Sequence, residues 1–307
     1  MKEELVKLFK YLLLFGVVIF LLDHVITMGL DHVYFENAQK GPKTVYSIEK
    51  AKADIVIFGS SRASHHYVPK VFEDSLGLNC YNAGLDGRNI FYHTAVFKTM
   101  LKRFHPRIIV FDITSMDFEE KDKSEDFKGL SILNPFYSKY KSEISEILYL
   151  QGPYEKYKLM SGLYRYNSKL DDVLLTFVKP DSNSPDLKGY DPLYGEWKGK
   201  VINRVLDLQN KQKDEIKIRY MKNFVNLAHE HRCKVFLFVS PDFYRYDREM
   251  DYSFVSDELS ADGFWSYQND TTFVSNNKYF KDGTHLNHDG AVKYSEIVSS
   301  LIKAEIN

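Results

Sequence analysis

The sequence is poor in cysteine and carries no excess of either charge. Only Cys80 and Cys233 occur among its 307 residues, each within an apolar stretch typical of a strand. Buried free thiols are therefore expected, and no zinc-site spacing is present. The formal net charge of -1 argues against a nucleic-acid partner. No cofactor is expected from these features.

The N-terminus lacks an uninterrupted apolar run long enough to span a bilayer. The run from Tyr11 to Leu22 has 12 residues, whereas a transmembrane helix needs about 20. Leu8 through Leu30 reaches that length but includes Asp23 and His24. No small-residue cleavage site is evident, so residues 1–30 are interpreted as an uncleaved signal anchor.

Lysines set the expected orientation of that anchor. Lys2, Lys7 and Lys10 precede the apolar run. They favour a cytoplasmic N-terminus, and hence a single-pass protein whose body is extracytoplasmic. The alternative is a buried amphipathic helix docked on the domain.

The rest of the chain alternates between strand and helix patterns. Residues 31–52 are interpreted as a connecting segment, and residues 53–307 as one domain. Four apolar, β-branched runs predict strands, at 53–58, 79–82, 107–113 and 234–239. Helical patterns at 68–76, 90–104, 214–231 and 289–305 predict a three-layer α/β/α fold with a doubly wound parallel sheet. Residues 120–205 break the rhythm and are interpreted as an insertion that shapes a substrate site.

Ser61 is the first candidate for chemistry. The first predicted strand runs into Gly59, Ser60, Ser61 and Arg62, and a helix is expected to follow. Such a turn exposes a hydroxyl at the carboxyl edge of a sheet, where helix N-H groups can stabilise an oxyanion. Serine after glycine is also a common helix cap, which is the structural alternative.

Asp282 and His285 form the second signal. A serine hydroxyl needs a base, and His285 can remove its proton. Asp282, three residues earlier, can orient the imidazole and stabilise the imidazolium. Two other interpretations stay open: a metal site formed by Asp282, His285 and His288 with ligands from elsewhere, or a polar loop that caps the last helix through Asp289.

The two signals together resemble the SGNH/GDSL hydrolases. Gly59-Ser60-Ser61 resembles their Gly-Asp-Ser block, with Ser60 in the position of Asp. Tyr81-Asn82-Ala83-Gly84 resembles the block that supplies an oxyanion-hole glycine, and Asp282-x-x-His285 resembles the final block. The resemblance implies a flavodoxin-like fold and a triad of Ser61, His285 and Asp282. The N-terminal anchor and the Gly-Ser-Ser variant look like membrane-tethered members that act on cell-envelope polymers, including O-acetyltransferase-like and D-alanylation-type proteins.

One block departs from that pattern. The superfamily has Gly-x-Asn-Asp after the third strand, where this chain has Asp112-Ile-Thr-Ser-Met-Asp117. With that Asn missing, Gly84, Asn89, Ser115 or Thr114 are the candidate oxyanion donors. Arg62 is a candidate for binding an anionic substrate, with a surface salt bridge as the alternative.

The resemblance leads to two hypotheses. The first is a serine esterase or O-acyltransferase that acts through acyl-Ser61 on an acylated carbohydrate or another ester. A membrane-bound partner would then deliver acyl groups. The second is a catalytically degenerate protein that binds glycan or scaffolds an envelope assembly, since the Asn block is missing.

Overall fold

The fold is described from a computed structural model of the chain. It describes residues 1–36, 43–114, 117–170, 187–200, 213–246, 252, 255 and 258–306.

The described residues form one five-stranded, all-parallel sheet with the order β2-β1-β3-β4-β5. The strands are β1 (Ile55–Gly59), β2 (Cys80–Asn82), β3 (Ile108–Asp112), β4 (Lys234–Val239) and β5 (Gly263–Ser266). This is the flavodoxin-like order, in which ligands bind beyond the carboxyl ends of the strands where the order reverses. That reversal lies between β1 and β3, which pair Gly59 with Asp112 at their ends.

The helices cover both faces of this sheet. They are α1 (Lys2–Glu36), α2 (Lys43–Glu49), α3 (Ser61–His66), α4 (Pro69–Leu76), α5 (Ile90–Met100), α6 (Lys123–Lys128), α7 (Lys141–Leu148), α8 (Glu155–Lys158), α9 (Gly162–Tyr166), α10 (Glu215–Glu230) and α11 (His288–Ile306). Short 3-10 turns occur at Gly129–Tyr137, Tyr149–Gln151 and Asn277–Tyr279.

Alternating strand side chains divide the core into two layers, since successive residues of a strand point to opposite faces. Val56 and Phe58 of β1 pack in the layer that holds α2, α5 and α10. Ile55 and Ile57 pack in the opposite layer, with α3, α4 and α11. The predicted three-layer α/β/α fold is therefore confirmed.

The N-terminal region extends the helical structure further than expected. Helix α1 has 35 residues and is, in the described part of the chain, the one helix long and apolar enough to cross a membrane. Its apolar window is not buried, so the alternative of a buried amphipathic helix is wrong. The predicted connecting segment 31–52 contains the end of α1 and all of α2, where Val45 and Ile48 are fully buried.

Two glycines let the backbone come close at the end of β1. Gly59 has φ of +132°, and a Cβ there would lie 2.6 Å from the Asp112 carbonyl oxygen. A Cβ on Gly84 would lie 2.7 Å from both Ala63 Cβ and Ser64 N. The turn after β1 and the loop after β2 therefore pack against each other without space for a methyl group.

We expect Gly84→Ala to destabilise the protein by about 1–3 kcal/mol, because the added methyl group meets backbone atoms of α3. Gly29→Ala is the matched control, since no atom lies within 4 Å of a Cβ at that helical position. Chemical unfolding in mild detergent would measure both. Equal stability of the two variants would contradict the close packing of Gly84 on α3.

Candidate active site

Ser61 is the first residue of α3 and lies directly beyond the carboxyl end of β1. The side chain of Ser60, which precedes the helix, makes no capping hydrogen bond. Ser61 itself is partly exposed, so its hydroxyl is accessible at the sheet edge. The backbone N-H groups of a helix's first turn have no intrahelical acceptor, which leaves donors close to this hydroxyl.

A histidine from the other end of the chain meets this hydroxyl. His285 Nε2 lies 2.8 Å from Ser61 Oγ, and His285 Nδ1 lies 2.9 Å from Asp282 Oδ2. A carboxylate only accepts hydrogen bonds, so Nδ1 carries the proton and Nε2 accepts from the serine hydroxyl. The structure therefore brings together the three residues that the sequence resemblance predicted as a triad.

The Asp282 carboxylate accepts hydrogen bonds from the backbone of its own loop. Its Oδ1 accepts hydrogen bonds from the backbone N-H of Thr284 at 2.8 Å and of His285 at 2.9 Å. Burial alone would raise the pKa of Asp282, but these donors and the His285 ring outweigh it and lower the pKa. Asp282 therefore stays ionised next to the ring that it orients.

A second histidine, His66, fixes the position of that loop. His66 is fully buried, and its Nε2 accepts a hydrogen bond from the Leu286 backbone N-H at 3.0 Å. The ring proton is therefore on Nδ1, which donates to Ser240 Oγ at 2.9 Å. Burial and the nearby Arg62 charge lower the pKa of His66 well below its usual value, so the ring is neutral. The sequence interpretation missed this role, although the His65-His66 pair after Ser61 marked the position.

Arg62 pairs with a buried carboxylate. Its side chain is only 13% exposed, and its Nε lies 3.6 Å from Oδ1 of the fully buried Asp112, an ion-pair contact too long for a hydrogen bond. Burial alone would lower the pKa of Arg62, but the Asp112 and Asp242 carboxylates raise it. The alternative of a surface salt bridge is wrong in its location, because the ion pair is buried, and the role of Arg62 in binding an anionic substrate stays a prediction. Arg62 is the counter-ion of a buried carboxylate below the site.

Two of the predicted oxyanion donors are engaged elsewhere. The Gly84 N-H donates to Asn82 Oδ1 at 2.9 Å. Asn89 caps α5 by accepting from the Phe91 N-H, and its Nδ2 donates to the Asp126 carbonyl at 3.0 Å. The start of α5 and the Asp126 carbonyl thus occupy both ends of the Asn89 amide, and its role as an oxyanion donor stays a prediction. Gly84 packs beside α3 but would have to release Asn82 before it could donate.

The remaining candidates lie after β3. Ser115 is outside the described residues. Thr114 donates through both its N-H and its hydroxyl to Asp117 Oδ2, at 2.7 and 3.0 Å. Among the described residues, the first N-H groups of α3 are further candidate donors next to Ser61.

His65 places a positive charge beside the catalytic candidates. Its Nδ1 lies 2.6 Å from the Asp191 carbonyl oxygen, and its Nε2 lies 3.2 Å from Asp86 Oδ2. Both partners only accept, so both ring nitrogens carry protons. Burial alone would lower the pKa of His65, but these two hydrogen bonds raise it. The ring lies edge-on to that of His285, with 5.4 Å between centroids.

The metal interpretation of Asp282, His285 and His288 has no support in the geometry. His288 Nδ1 lies 3.1 Å from the Tyr190 hydroxyl, while His285 bonds to Asp282 through Nδ1 and to Ser61 through Nε2. Across the described ranges, no group of three or more His, Cys, Asp or Glu residues is arranged to hold a metal ion. Cys80 and Cys233 are buried free thiols.

Comparisons with known proteins find similarity to solved structures only. No family model matches the chain, and no curated protein matches it. One similar solved structure is a crystal structure of a Bacteroides fragilis protein described as a candidate acylhydrolase. It shares 13% identity, covers 84% of this chain and 93% of its own, and has a TM-score of 0.38. At this level of similarity, the functional assignment depends on the site itself.

The charge on His65 predicts a pH-dependent contribution to stability. The folded-state pKa of His65 is raised above the unfolded value of about 6.5, so its protonation stabilises the fold fully at pH values below about 6.5. It is lost as the pH rises through the folded-state pKa. We expect the difference in unfolding free energy between the native chain and His65→Gln to be larger at about pH 6 than at about pH 9. A difference that is constant, or that grows with pH, would contradict the protonated ring.

Proposed function

We propose that this protein is a membrane-anchored serine esterase or O-acyltransferase of the SGNH type that acts on acylated carbohydrate of the cell envelope. The observation that carries the proposal is the continuous hydrogen-bonded set in which His285 lies 2.8 Å from Ser61 Oγ and 2.9 Å from Asp282. It joins residues 224 positions apart in the sequence at the switch point of the sheet. A helix cap at Ser61 requires no such partner.

In the proposed mechanism, Ser61 is acylated first. As Ser61 Oγ attacks the acyl carbonyl carbon, its proton passes to His285 Nε2, and Asp282 stabilises the resulting imidazolium. The tetrahedral oxyanion would then form close to the first N-H groups of α3, which can donate to it. His285 then gives its proton to the leaving alkoxide, and the acyl group remains on Ser61 as an ester.

The second half-reaction decides between hydrolysis and transfer. His285 removes a proton from the acceptor hydroxyl, which attacks the acyl-serine carbonyl and releases Ser61. Water as the acceptor gives an esterase, and a sugar hydroxyl gives an O-acyltransferase. The same three side chains serve both, so the acceptor depends on the surrounding cleft and on any membrane-bound donor of acyl groups.

The second candidate function is a degenerate, non-catalytic glycan-binding or scaffold protein. The observation that favours it is the engagement of expected oxyanion donors, since Gly84 donates to Asn82 and Asn89 caps α5. Loss of one oxyanion donor typically costs about 100-fold to 1,000-fold in rate. Such a loss slows an enzyme, but an intact serine-histidine pair still reacts with strong electrophiles.

Two adjacent serines provide a matched test. We expect the native chain and Ser60→Ala to be labelled by a fluorophosphonate and to hydrolyse p-nitrophenyl acetate. Ser61→Ala should lose labelling and at least about 10³-fold in kcat/KM, because no other side chain supplies the nucleophile. Protein labelling in gels and ester hydrolysis in detergent measure the two effects.

The non-catalytic candidate predicts a different outcome. The native chain would then fail to react with the probe, while Ser61→Ala would keep the cellular role of the protein.

A deletion strain addresses the substrate. We expect the deletion to change the content of ester-linked acyl groups on envelope polysaccharide. The native chain should restore that content, and Ser61→Ala should not.

A further inference from the structure

A cluster of exposed apolar side chains lies outside α1 and outside the site. Among described residues beyond α1, the exposed large apolar side chains are Tyr154, Tyr157, Met160, Leu163, Leu170 and Tyr194. Four of them fall within ten residues, in and around α8 and α9, with exposures of 69%, 60%, 75% and 43% for Tyr154, Tyr157, Met160 and Leu163. We call these four side chains the 154–163 surface. Side chains of this size rarely cluster on a water-facing surface without a partner.

The loop that carries this surface is hydrogen-bonded to α1 at Asp23. Asp23 accepts hydrogen bonds from Ser161 Oγ, Gly162 N-H and Leu163 N-H, at 2.8, 2.8 and 2.9 Å. Thr27, one turn later, packs against Gly162 so closely that a Cβ there would overlap it. Met160 and Leu163 therefore lie next to the hydrogen bonds that join the domain to Asp23 of α1.

Further contacts join α1 to α9 and α9 to α8. Tyr34 of α1 is fully buried, and its ring lies 5.6 Å from that of Tyr166 in α9. The Tyr166 hydroxyl donates to Asp31. Within the loop, Glu155 accepts from Tyr164 at 2.8 Å and pairs with Lys158 at 2.7 Å, which joins α8 to α9. The 154–163 surface thus keeps its position relative to α1.

The position of Asp23 defines where the hydrocarbon layer must end. Leu5 to Leu22 is about 27 Å long at 1.5 Å per residue, close to the thickness of about 30 Å of a bilayer core. Lys7 and Lys10 lie toward its far end, where long side chains can reach the headgroups. The layer cannot extend past Asp23, because it would then contain the irregular backbone of residues 159–161. Asp23 and the 154–163 surface therefore lie at the headgroup boundary.

The composition of the surface suits that boundary. Tyrosine is enriched at membrane-water interfaces, where its ring contacts acyl chains and its hydroxyl contacts water. Lys156 and Lys158 are both exposed beside these side chains, and Lys156 Nζ lies 4.8 Å from the centre of the Tyr157 ring. Exposed lysines next to aromatic and apolar side chains match the headgroup and acyl regions of one leaflet.

We propose that the 154–163 surface inserts into the leaflet from which α1 emerges, so that the domain rests on the bilayer in one orientation. The inference depends on α1 spanning the membrane, as proposed above, and adds a second contact formed by the chain between β3 and β4. The occupant is phospholipid. A second copy of the chain on the same surface is an outcome that the experiment distinguishes.

The test uses the full-length protein in phospholipid nanodiscs, with a spin label on one introduced cysteine. Met160→Cys and Leu163→Cys probe the surface, Phe15→Cys probes α1, and Tyr194→Cys is the control at 65% exposure. The native thiols are buried, and the unsubstituted chain corrects for any label on them. Power saturation with oxygen and with a water-soluble nickel chelate reports the depth of each label.

We expect the labels at 160 and 163 to show several-fold higher ratios of oxygen to nickel accessibility than the label at 194. Their depth should be shallow, about 5–10 Å below the headgroups, while the label at 15 lies deeper. If the oxygen-to-nickel ratio at 160 and 163 equals that at 194, the proposal is overturned. A deep label at 15 in the same experiment would show that the anchor itself still spans the bilayer. A water-exposed label at 15 would overturn the anchor and this inference together.

A second copy of the chain has its own signature. Spin-spin broadening at 160 that disappears on dilution with unlabelled protein would mean that another protomer covers the surface, and would overturn the lipid assignment. Neither outcome affects the reaction of Ser61 with a fluorophosphonate, so failure of this inference is distinguishable from failure of the proposed chemistry.

Discussion

The candidate site depends on the neutral ring of His66, which connects three distant parts of the chain. The ring belongs to α3, accepts from Leu286 N-H at 3.0 Å and donates to Ser240 beyond β4 at 2.9 Å. Since Leu286 follows His285 directly, the bond sets the position of the imidazole over Ser61. A charged ring would lose this arrangement, because Nε2 could no longer accept. Burial keeps the ring neutral by lowering its pKa.

At the carboxyl edge of the sheet, next to this ring, lies the buried ion pair of Asp112 and Arg62. Asp112 ends β3, accepts from the Tyr67 hydroxyl at 2.6 Å and faces Arg62. Removal of either Arg62 or Asp112 would leave the other charge buried and uncompensated, so the pair ties the start of α3 to the end of β3. Gly59 makes the approach of α3 to Asp112 possible. The nucleophile candidate therefore lies on a closely packed turn, and its candidate base lies on a loop that His66 contacts.

Much of the fold follows from sequence pattern, and the exceptions have physical reasons. Strands β1 to β4 are predictable because buried parallel strands are short apolar runs. Strand β5 (Gly263–Ser266) is missed because it is a partly exposed edge strand that begins with glycine. The resemblance of separate blocks predicts that Ser61, Asp282 and His285 meet. It does not predict the bond from Asn89 to Asp126 or from Asp23 to Ser161, since contacts between distant polar side chains leave no periodic pattern.

The proposed chemistry requires Ser61 Oγ to act as the nucleophile and to carry the acyl group in a covalent intermediate. The most direct measurement is mass spectrometry of the full-length protein, quenched in acid during turnover of p-nitrophenyl acetate and then digested. We expect one acetyl group, on the peptide that contains Ser61, and its absence when the folded protein is first incubated at neutral pH without ester and only then quenched. Ester turnover with no adduct, or with the adduct on another residue, would contradict it.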